Sequence, residues 1–421
     1  MERINTYDVI VAGGGLSGVA AAVAVAREGA RVLIIEKYGF LGGMATAGLV
    51  SPFMPYWIWT GNWQYDYGKP VNMGLFRRIL EELDKLGGLH ANGTTFNEEI
   101  LKLVLDRMVK EYGIDPLYHS LVTGVERRGS SLVGITVSNK SGSSQYYAKY
   151  FVDATGDADL SAMAGCEIRI GRDEDHQCQP MTLCFRIANV DRSKVDGRRV
   201  NEIYREAQKK GLIKNPREDV LTFPHMVEDV VHFNSTRIIQ KCPVDAYDLT
   251  QAEMEAREQV YELYRFMKEN IPGYENSQLL MSAPTIGVRE SRRIVGEYTI
   301  TQEDLVGVKK FEDSIARGTY QVDIHNPSGT GTHHIDIPYG EYYTIPYRAL
   351  LPKGMDNLIV AGRPISSTHE AHSAYRIMPI CTCIGEGAGT AVSIALKKGI
   401  TFKQVPYEEI HRLLDKYGAL Y

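Results

Sequence analysis

The hydrophobic pattern changes twice near the start of the chain. Residues 7–12 (YDVIVA) form a short β-type run, residues 19–26 (VAAAVAVA) form an alanine-rich apolar stretch typical of a helix, and residues 31–35 (RVLII) form a second β-type run. Short apolar runs bounded by turn residues are typical of strands buried on both faces of a parallel sheet. The pattern therefore predicts a strand–helix–strand unit and an α/β fold.

Related patterns return later in the chain. Residues 115–156 alternate short β-type runs with Gly, Ser and Asn turns, which predicts a β-meander leading back into the main sheet. Residues 356–362 (DNLIVAG) predict a C-terminal strand, and residues 376–399 predict a second helix opened by glycines. The composition between about 166 and 354 shifts to strand runs and charged helices, with a capping box predicted at Thr250 and Glu253.

Three glycines follow the first predicted strand at the spacing Gly13-x-Gly15-x-x-Gly18, and Glu36 closes the second strand. Gly13 permits a tight turn, Gly15 lets the backbone approach a pyrophosphate, and Gly18 lets the helix pack closely on the strand. The helix N-terminus then points at the phosphates, and a carboxylate after the second strand accepts hydrogen bonds from ribose hydroxyls. This unit predicts that the chain binds a dinucleotide.

The composition of the 421 residues is that of an ordinary globular enzyme, with 44% apolar and 24% charged residues. The net charge of −5 argues against a nucleic-acid partner, because phosphate binding needs a basic face. The six cysteines include no C-x-x-C pair, which disfavours zinc or iron–sulfur ligation. No continuous apolar run approaches the roughly 20 residues that span a bilayer, and the first strand begins too early to follow a signal peptide. We therefore expect a cytoplasmic protein without a membrane span or a bound metal.

A second pair of glycines, Gly42 and Gly43, follows Glu36 and carries a resemblance to a known family. The stretch from Glu36 to Gly43 resembles the E-x-x-x-x-x-G-G segment of FAD enzymes of the glutathione-reductase-like fold. In that family the diglycine loop passes beside the pyrophosphate and reaches toward the flavin. Residues 154–156 (ATG) resemble a second motif of the family, and the strand ending at Gly362 with its following helix resembles a third.

The resemblance covers residues 1–165 and 355–421 and implies that the two ends form one Rossmann-like FAD-binding domain, a parallel sheet with a β-meander. Residues 166–354 are then an inserted α+β substrate domain, or cap, over the flavin. The residues implied to bind FAD are Gly13, Gly14, Gly15, Leu16, Ser17, Gly18, Glu36, Lys37, Gly42, Gly43, Met44, Ala45, Thr46, Leu121, Val122, Ala154, Thr155, Gly156, Asp157, Gly362, Arg363, Met378, Gly385, Gly387, Ala388 and Gly389. Leu121 and Val122 match the family's adenine-contacting strand.

Features of the family that this chain lacks narrow its chemistry. Disulfide reductases of this fold carry a redox cysteine pair after the diglycine, where this chain has Met44, Ala45 and Thr46. They also carry a second G-x-G-x-x-G for NADPH, which the sequence does not contain, so a disulfide reductase is excluded. The diglycine loop also has no histidine for a histidyl-flavin linkage, so we expect FAD to be bound noncovalently.

An arginine cluster marks the middle segment. The R-E-S-R-R run at residues 289–293 resembles a mark of a broad group of FAD-dependent oxidoreductases related to the flavin-bearing part of heterodisulfide reductase. A strand-like pattern predicts Arg289 and Arg293 on one face and Arg292 on the other. Arg289 can pair with a substrate carboxylate in a bidentate manner, or the cluster can form Arg–Glu pairs that tie the cap to the domain below.

The segment before the last helix supplies the catalytic candidates. His369 or His372 can remove a substrate proton while hydride leaves for the flavin, because imidazole titrates near working pH. A hydrogen-bonded structural role is the alternative for both. Arg376 can hold an anionic substrate or a flavin carbonyl. The resemblance further implies that the N-terminus of the last helix stabilises negative charge on the flavin, with Gly385 and its neighbours to residue 389 allowing a close approach.

These features favour an FAD-dependent dehydrogenase or reductase that acts on a small, acidic organic molecule. Oxygen, a quinone or a protein partner would reoxidise the flavin, and the oligomeric state is open, with a dimer as one option. A flavin monooxygenase is an alternative, although such hydroxylases carry a Gly-Asp pair where this chain has Gly362 and Arg363. A non-catalytic flavin protein, or the flavin component of a larger electron-transfer complex, is the alternative outside the enzymes.

Overall fold

The computed structural model describes residues 5–61 and 64–421, which contain both helices and strands. The helices are α1 (Leu16–Ala26), α2 (Leu75–Lys85), α3 (Glu98–Glu111), α4 (Asp159–Met163), α5 (Gly197–Lys209), α6 (Ala246–Asn270), α7 (Gln302–Val306), α8 (His369–Tyr375), α9 (Met378–Lys398) and α10 (Tyr407–Lys416). The strands are β1 (Thr6–Ala12), β2 (Val32–Ile35), β3 (Trp57–Gly61), β4 (Gln64–Pro70), β5 (Asp115–Leu117), β6 (Leu121–Arg128), β7 (Ser131–Asn139), β8 (Gly142–Asp153), β9 (Ile168–Ile170), β10 (Phe185–Ala188), β11 (Thr222–Pro224), β12 (Val231–Phe233), β13 (Gln278–Ser282), β14 (Arg292–Ile294), β15 (Ser314–Gly318), β16 (Val322–His325), β17 (Thr332–Ile335), β18 (Tyr343–Pro346) and β19 (Leu358–Val360).

A seven-stranded sheet contains both ends of the chain. Its order is β5-β2-β1-β8-β7-β6, and β19 also pairs with β8. Strands β5, β2, β1, β8 and β19 run parallel, whereas β6, β7 and β8 form an antiparallel meander. Strand β8 belongs to both parts, because residues 142–147 pair with β7 and residues 147–153 pair with β1. The predicted α/β class, with a parallel sheet continued by a meander, is confirmed.

Helices α1 and α9 come from opposite ends of the chain and pack against each other beside this sheet. A Cβ atom at Gly385 would collide with the carbonyl oxygen of Ser17, and one at Gly389 would collide with that of Ala21. The two helix backbones therefore touch at positions that only glycine can occupy. Within the described residues, α9 is the one helix long and apolar enough to cross a membrane, and 94% of that window is buried inside the fold. Glu386 lies within this helix, so its apolar residues do not form a continuous run in the sequence.

A second apolar core lies in the middle of the chain. The antiparallel sheet β11-β12-β10-β13 packs with α5 and α6 around Phe185, Phe233, Tyr204 and Leu263. The rings of Phe185 and Phe233 stack with their centroids 4.6 Å apart. Most buried apolar side chains of residues 294–351, in contrast, belong to the first apolar core, which contains α1 and α9.

The predicted start of α6 was wrong. The helix begins earlier, at Ala246, because the side chain of Asp245 accepts hydrogen bonds from the backbone N–H groups of residues 247 and 248. The hydroxyl of Thr250 instead donates to the carbonyl of Ala246 inside the helix. Asp245 therefore occupies the N-cap, and Thr250 lies inside the helix. Helix α7 has Thr301 as its N-cap, and Asp304 completes a capping box there.

A buried ion pair joins the two cores. Glu98, the first residue of α3, pairs with Arg186 of β10, and their side chains are only 6% and 4% exposed. Both carboxylate oxygens are engaged, and the Nη2···Oε2 distance is 2.8 Å. Burial opposes ionisation, but the hydrogen bonds and charge of Arg186 outweigh it and hold the pKa of Glu98 below its ordinary value. The pair therefore ties the inserted sheet to the nucleotide-binding half as a charged unit.

We expect Glu98→Gln to lower the free energy of unfolding by about 3 kcal/mol, because it leaves the Arg186 guanidinium buried without its counter-charge. Urea denaturation at neutral pH measures this loss. Glu81→Gln is the matched control, because Glu81 forms an exposed pair with Arg77 on α2, and such pairs contribute less than about 1 kcal/mol.

The Glu98→Gln variant also allows a test of how stability depends on pH. Since the pKa of folded Glu98 is depressed, its contribution is present above the ordinary glutamate pKa and is lost as pH falls through the lower folded value. The acid dependence of wild-type stability should therefore flatten in Glu98→Gln. Equal stability of wild type and variant at neutral pH would contradict the role assigned to the pair.

Candidate functional site

The carboxyl ends of four parallel strands open into one cleft of about 1030 Å³, a volume that includes its opening to solvent. Gly13, Glu36, Ala154 and Ala361 directly follow β1, β2, β8 and β19, and all four residues line the cleft. Parallel strands bring their carboxyl ends to the same edge of a sheet, where open α/β sheets bind ligands. The strand order therefore brings together residues that are far apart in the sequence.

Most residues predicted to contact the cofactor line this cleft. They are Gly13, Gly15, Leu16, Ser17, Glu36, Lys37, Gly42, Gly43, Met44, Ala45, Ala154, Thr155, Gly156, Asp157, Gly362, Arg363 and Met378, and Arg376 lies with them. Their individual contacts with a bound cofactor stay predictions.

The glycine turn after β1 presents open backbone to the cleft. A Cβ atom at Gly15 would have no neighbour closer than Gly43 Cα at 3.9 Å. Gly13 has φ +101°, and any Cβ there would collide with the carbonyl of Ala154, so it needs glycine for both reasons. Gly15 thus leaves an empty space at the N-terminus of α1, where backbone N–H groups and the helix dipole favour a phosphate.

Glu36 holds this turn in shape. Its carboxylate accepts a hydrogen bond of 2.8 Å from the N–H of Gly14 and one of 2.9 Å from the N–H of Tyr38. Burial raises the pKa of Glu36, and these two N–H donors oppose that rise. Each carboxylate oxygen can accept a further hydrogen bond, so the residue can still receive ribose hydroxyls. The N–H of Gly14 therefore binds the Glu36 carboxylate, and Gly14 does not line the cleft.

The diglycine loop is fixed against the glycine turn. Gly42 has φ +110° and Gly43 has φ +56°, and a Cβ at Gly43 would lie 2.9 Å from Gly15 Cα. The hydroxyl of Thr46 donates to the carbonyl of Leu41 at 2.8 Å. Thr46 is fully buried, so it closes the loop from behind and does not line the cleft.

Arg363 joins two strand ends at the floor of the cleft. Its Nη2 lies 2.7 Å from Asp157 Oδ1, and its Nε donates to the carbonyl of Gly156 at 2.7 Å. Ser291 donates a further hydrogen bond to the same carboxylate at 2.7 Å. Burial opposes ionisation, but the charge of Arg363 outweighs it and lowers the pKa of Asp157. The carboxylate of this ion pair, Asp157, therefore follows β8 in the chain, and its guanidinium partner, Arg363, follows β19.

The opposite wall of the cleft comes from the inserted segment. It is mainly apolar and consists of Pro243, Leu249, Thr285, Ile286 and Val288. Ile286 and Val288 belong to the β-branched stretch before the arginine cluster, so hydrophobic alternation could have found them. Pro243 and Leu249 lie in and just after a loop whose composition gives no such signal. Tyr38, Ala361 and Cys381 also line the cleft and were not predicted as binding residues.

The predicted role of the glycines in α9 was wrong. The helix begins at Met378, with Pro379 in its first turn, so Gly385, Gly387, Ala388 and Gly389 lie inside the helix and not at its N-terminus. Gly385 and Gly389 contact α1, and a Cβ at Gly387 would lie 2.8 Å from Ile315. Met378 and Cys381 are the residues of this helix that line the cleft. Proline rather than glycine marks the start, as is common in the first turn of a helix.

Three other predicted cofactor residues lie outside the cleft. Gly18 packs on the glycine turn, where a Cβ would collide with the carbonyl of Gly13. Leu121 is 52% exposed and Val122 is buried in the core. The N–H of Ser120 donates to the carbonyl of Glu36 at 3.0 Å, which holds the start of β6 beside the acid. Adenine contact by Leu121 and Val122 stays a prediction.

The two candidate histidines lie on α8, and neither lines the cleft. Nδ1 of His369 is 2.8 Å from the carboxylate of Glu290, and the ring is buried. Burial, followed by the charges of Arg293, Arg376 and Arg363, lowers the pKa of His372 well below its ordinary value, so this ring is neutral at physiological pH. Their role in moving a substrate proton stays a prediction.

The arginine cluster does not form the predicted strand. Strand β14 begins only at Arg292, so the two-face pattern that was to place Arg289 beside Arg293 was wrong. Arg293 is buried and pairs with Glu290, and Arg292 pairs with Asp159 at 2.7 Å. Arg289 precedes the strand and does not line the cleft.

The chain matches the family described as FAD dependent oxidoreductase over residues 8–414, and it belongs to this family. FAD is the cofactor, and the structure fits it: the space above Gly15, the acid at Glu36 and the diglycine loop lie along one cleft. No curated protein matches the sequence.

Solved structures resemble the fold at low identity. A geranylgeranyl bacteriochlorophyll reductase-like protein from Thermoplasma acidophilum is 15% identical, with 98% of this chain and 82% of that chain covered and a TM-score of 0.44. A p-nitrophenol 4-monooxygenase from Pseudomonas putida is 12% identical, with coverages of 98% and 84% and a TM-score of 0.49. An L-proline dehydrogenase from P. horikoshii is 13% identical, with 100% of both chains covered and a TM-score of 0.45. Such values carry no information about the reaction.

We expect Gly15→Ala to weaken FAD binding at least tenfold without destabilising the apoprotein. The added methyl group has free space within the protein but occupies the position predicted for the pyrophosphate. FAD affinity comes from titration of the apoprotein, and the melting temperature of the apoprotein gives the stability. Gly197→Ala, where a Cβ also meets nothing, is the control. If Gly15→Ala kept its full affinity for FAD, the prediction that the pyrophosphate lies at this turn would be wrong.

Proposed function

We propose that this FAD-dependent oxidoreductase transfers hydride between a small organic acid and its cofactor. FAD, when bound, supplies the ring that accepts or returns the hydride. The observation that carries the proposal is the position of Arg376, a cation that lines the same cleft as the mainly apolar residues of the inserted segment.

The guanidinium of Arg376 is only loosely compensated. Its Nη2 lies 3.5 Å from a carboxylate oxygen of Asp323, and its Nε has no partner among the described residues. No hydrogen bond of its Nη1 is found there either. A guanidinium with free donors favours a planar anion, because it can bind both oxygens of a carboxylate at once. Arg376 is therefore assigned to the acid group of the substrate.

The apolar wall supports a specific orientation. Pro243, Leu249, Ile286 and Val288 form a surface for a carbon skeleton, while Arg376 offers one charged contact. Ligand sites of this kind use apolar area for affinity and a few polar groups for orientation. An acid held by Arg376 would present its carbon atoms along this wall and exclude water from it.

The electron acceptor is proposed to be oxygen, a quinone or a protein partner. A closer relation to the flavin-bearing part of heterodisulfide reductase, based on residues 289–293, is part of the same proposal. Two rivals can be separated by experiment. A long-lived hydroperoxide spectrum during stopped-flow oxidation of the reduced protein would favour a monooxygenase, and a protein that no small acid reduces would favour a non-catalytic or electron-transfer component.

Arg376→Met should weaken the binding of acids that reduce the flavin by roughly ten- to one-hundred-fold. This is the effect of losing one hydrogen bond to a charged group. The measurement is anaerobic loss of the flavin's visible absorbance against a panel of amino, hydroxy and unsaturated acids. Arg376→Lys should recover only part of the loss, because lysine keeps the charge but not the bidentate geometry.

The control is Arg199→Met, which removes an exposed arginine from α5 and should change nothing. FAD content is measured in every variant, so that lost cofactor is not mistaken for lost substrate binding. If flavin reduction by Arg376→Met depended on acid concentration as it does in the wild type, Arg376 would have no role in substrate recognition.

A further inference from the structure

We infer that Asp323 competes with the substrate acid for Arg376, and that protonation of His334 on the neighbouring strand weakens this competition. The inference rests on the proposed function, because it concerns how the acid site at Arg376 is regulated. It arises from the contacts of one buried carboxylate, which meets the cleft arginine with one oxygen and a half-exposed histidine with the other.

Asp323 is the one acid that pairs with Arg376 among the described residues. Nη2 of Arg376 is 3.5 Å from Asp323 Oδ2 and also 3.5 Å from the backbone carbonyl oxygen of Asp323. Strand β16 is held against α8 at this point, because the N–H of Asp323 donates to the hydroxyl of Ser373 at 3.0 Å. A carboxylate held at this distance reduces the attraction of the guanidinium for a second carboxylate. Asp323 is therefore an internal anion that an incoming acid must displace.

His334 connects this carboxylate to solvent. The two residues face each other across the antiparallel strands β16 and β17, and His334 Nδ1 is 3.4 Å from Asp323 Oδ1. The side chain of Asp323 is only 10% exposed, whereas that of His334 is 46% exposed, so the histidine can exchange protons directly with water. The carboxylate therefore lies between a cation of the cleft and an imidazole at the surface.

Protonation changes what His334 Nδ1 can bind. In the neutral ring this nitrogen can accept a hydrogen bond from the side-chain amide of Gln321, whose Nε2 lies 2.8 Å away. In the protonated ring both nitrogens are donors, so Nδ1 loses that partner and can donate to Asp323 Oδ1. A positive charge there cancels part of the field of Asp323 at Arg376. Arg376 then attracts an anionic ligand more strongly.

The other titratable groups that contact Asp323 keep their charge near neutral pH. His325 Nε2 is 3.6 Å from Oδ2, but burial lowers the pKa of His325 to about 3, so this ring stays neutral. The hydroxyl of Tyr320 donates to Oδ2 at 3.1 Å, and burial raises its pKa. Burial also opposes ionisation of Asp323, but the neighbouring His325 and arginine outweigh it and lower the pKa of Asp323. The contact from α8 is an uncharged serine. Within the described residues, His334 is thus the group at Asp323 whose charge can change in this range.

The probe is butyrate, which offers a carboxylate to Arg376 and a carbon chain to the apolar wall. Its binding to the FAD-loaded protein is measured by isothermal titration calorimetry from about pH 6 to about pH 8, where histidine titrates. We expect the wild type to bind butyrate roughly two- to fivefold more tightly at the lower pH, the size of one partly exposed ion pair. Butyramide, which has a similar shape but no charge, should show no such change.

Two substitutions fix the charge at position 334. His334→Gln is always neutral and should bind butyrate at every pH as weakly as the wild type does at the higher pH. His334→Lys is always cationic and should keep the tighter binding of the lower pH. The control is His333→Gln, because His333 is also exposed on β17 but lies opposite Ile324. This control should keep the pH dependence of the wild type.

Asp323→Asn removes the competing charge itself. The FAD-loaded variant should bind butyrate at every pH at least as tightly as the wild type does at the lower pH. A residue that only supported the shape of the site would give the opposite result, since its loss would weaken binding.

Three results would overturn the inference: no pH dependence in the wild type, an unchanged pH dependence in His334→Gln, or weaker butyrate binding by FAD-loaded Asp323→Asn. Arg376→Met separates these failures from failure of the proposed function. If Arg376→Met weakens butyrate binding while His334→Gln behaves as the wild type, the proposed function stands and its regulation by His334 fails. If the wild type does not bind butyrate, or binds it independently of Arg376, both fail.

Discussion

The whole architecture depends on strand β8 having a parallel neighbour on each of its edges. Residues 147–153 of β8 pair with β1, and residues 151–153 also pair with β19. These two neighbours belong to opposite ends of the chain. Their pairing brings Gly13, Ala154 and Ala361 to one edge of the sheet. The cleft, its glycine turn and its arginine–aspartate floor all follow from this shared strand.

The charged side chains are paired differently in different parts of the fold. Where the two cores meet, Glu98 and Arg186 form an ion pair whose side chains are almost completely buried. At the floor of the cleft, Asp157 and Arg363 pair between two strand ends while lining the open cleft. Arg376, which lines the cleft, has only a contact of 3.5 Å to Asp323 among the described residues. The arginine assigned to substrate recognition is therefore only loosely compensated.

Local sequence patterns could predict the nucleotide end because each of its requirements involves neighbouring residues. Gly13 needs a positive φ and Gly15 needs open space, and both needs appear in one short motif after one strand. The same reasoning failed for Gly385 and Gly389, since a glycine that admits a ligand and a glycine that admits another helix look alike in sequence. Pro243 and Leu249 could not be predicted, because only the packing of the inserted core brings them to the cleft. The early start of α6 depended on which of two cap residues found free N–H groups.

The contact between α1 and α9 also has a consequence for synthesis on the ribosome. Almost every residue of α1 is buried in the finished protein, and much of that covering comes from α9. The partner helix emerges about 350 residues later, roughly 20–70 s at ordinary translation rates. During that interval the N-terminal helix remains an apolar surface without its cover, so the nascent chain needs a chaperone or a temporary non-native contact until translation is nearly complete.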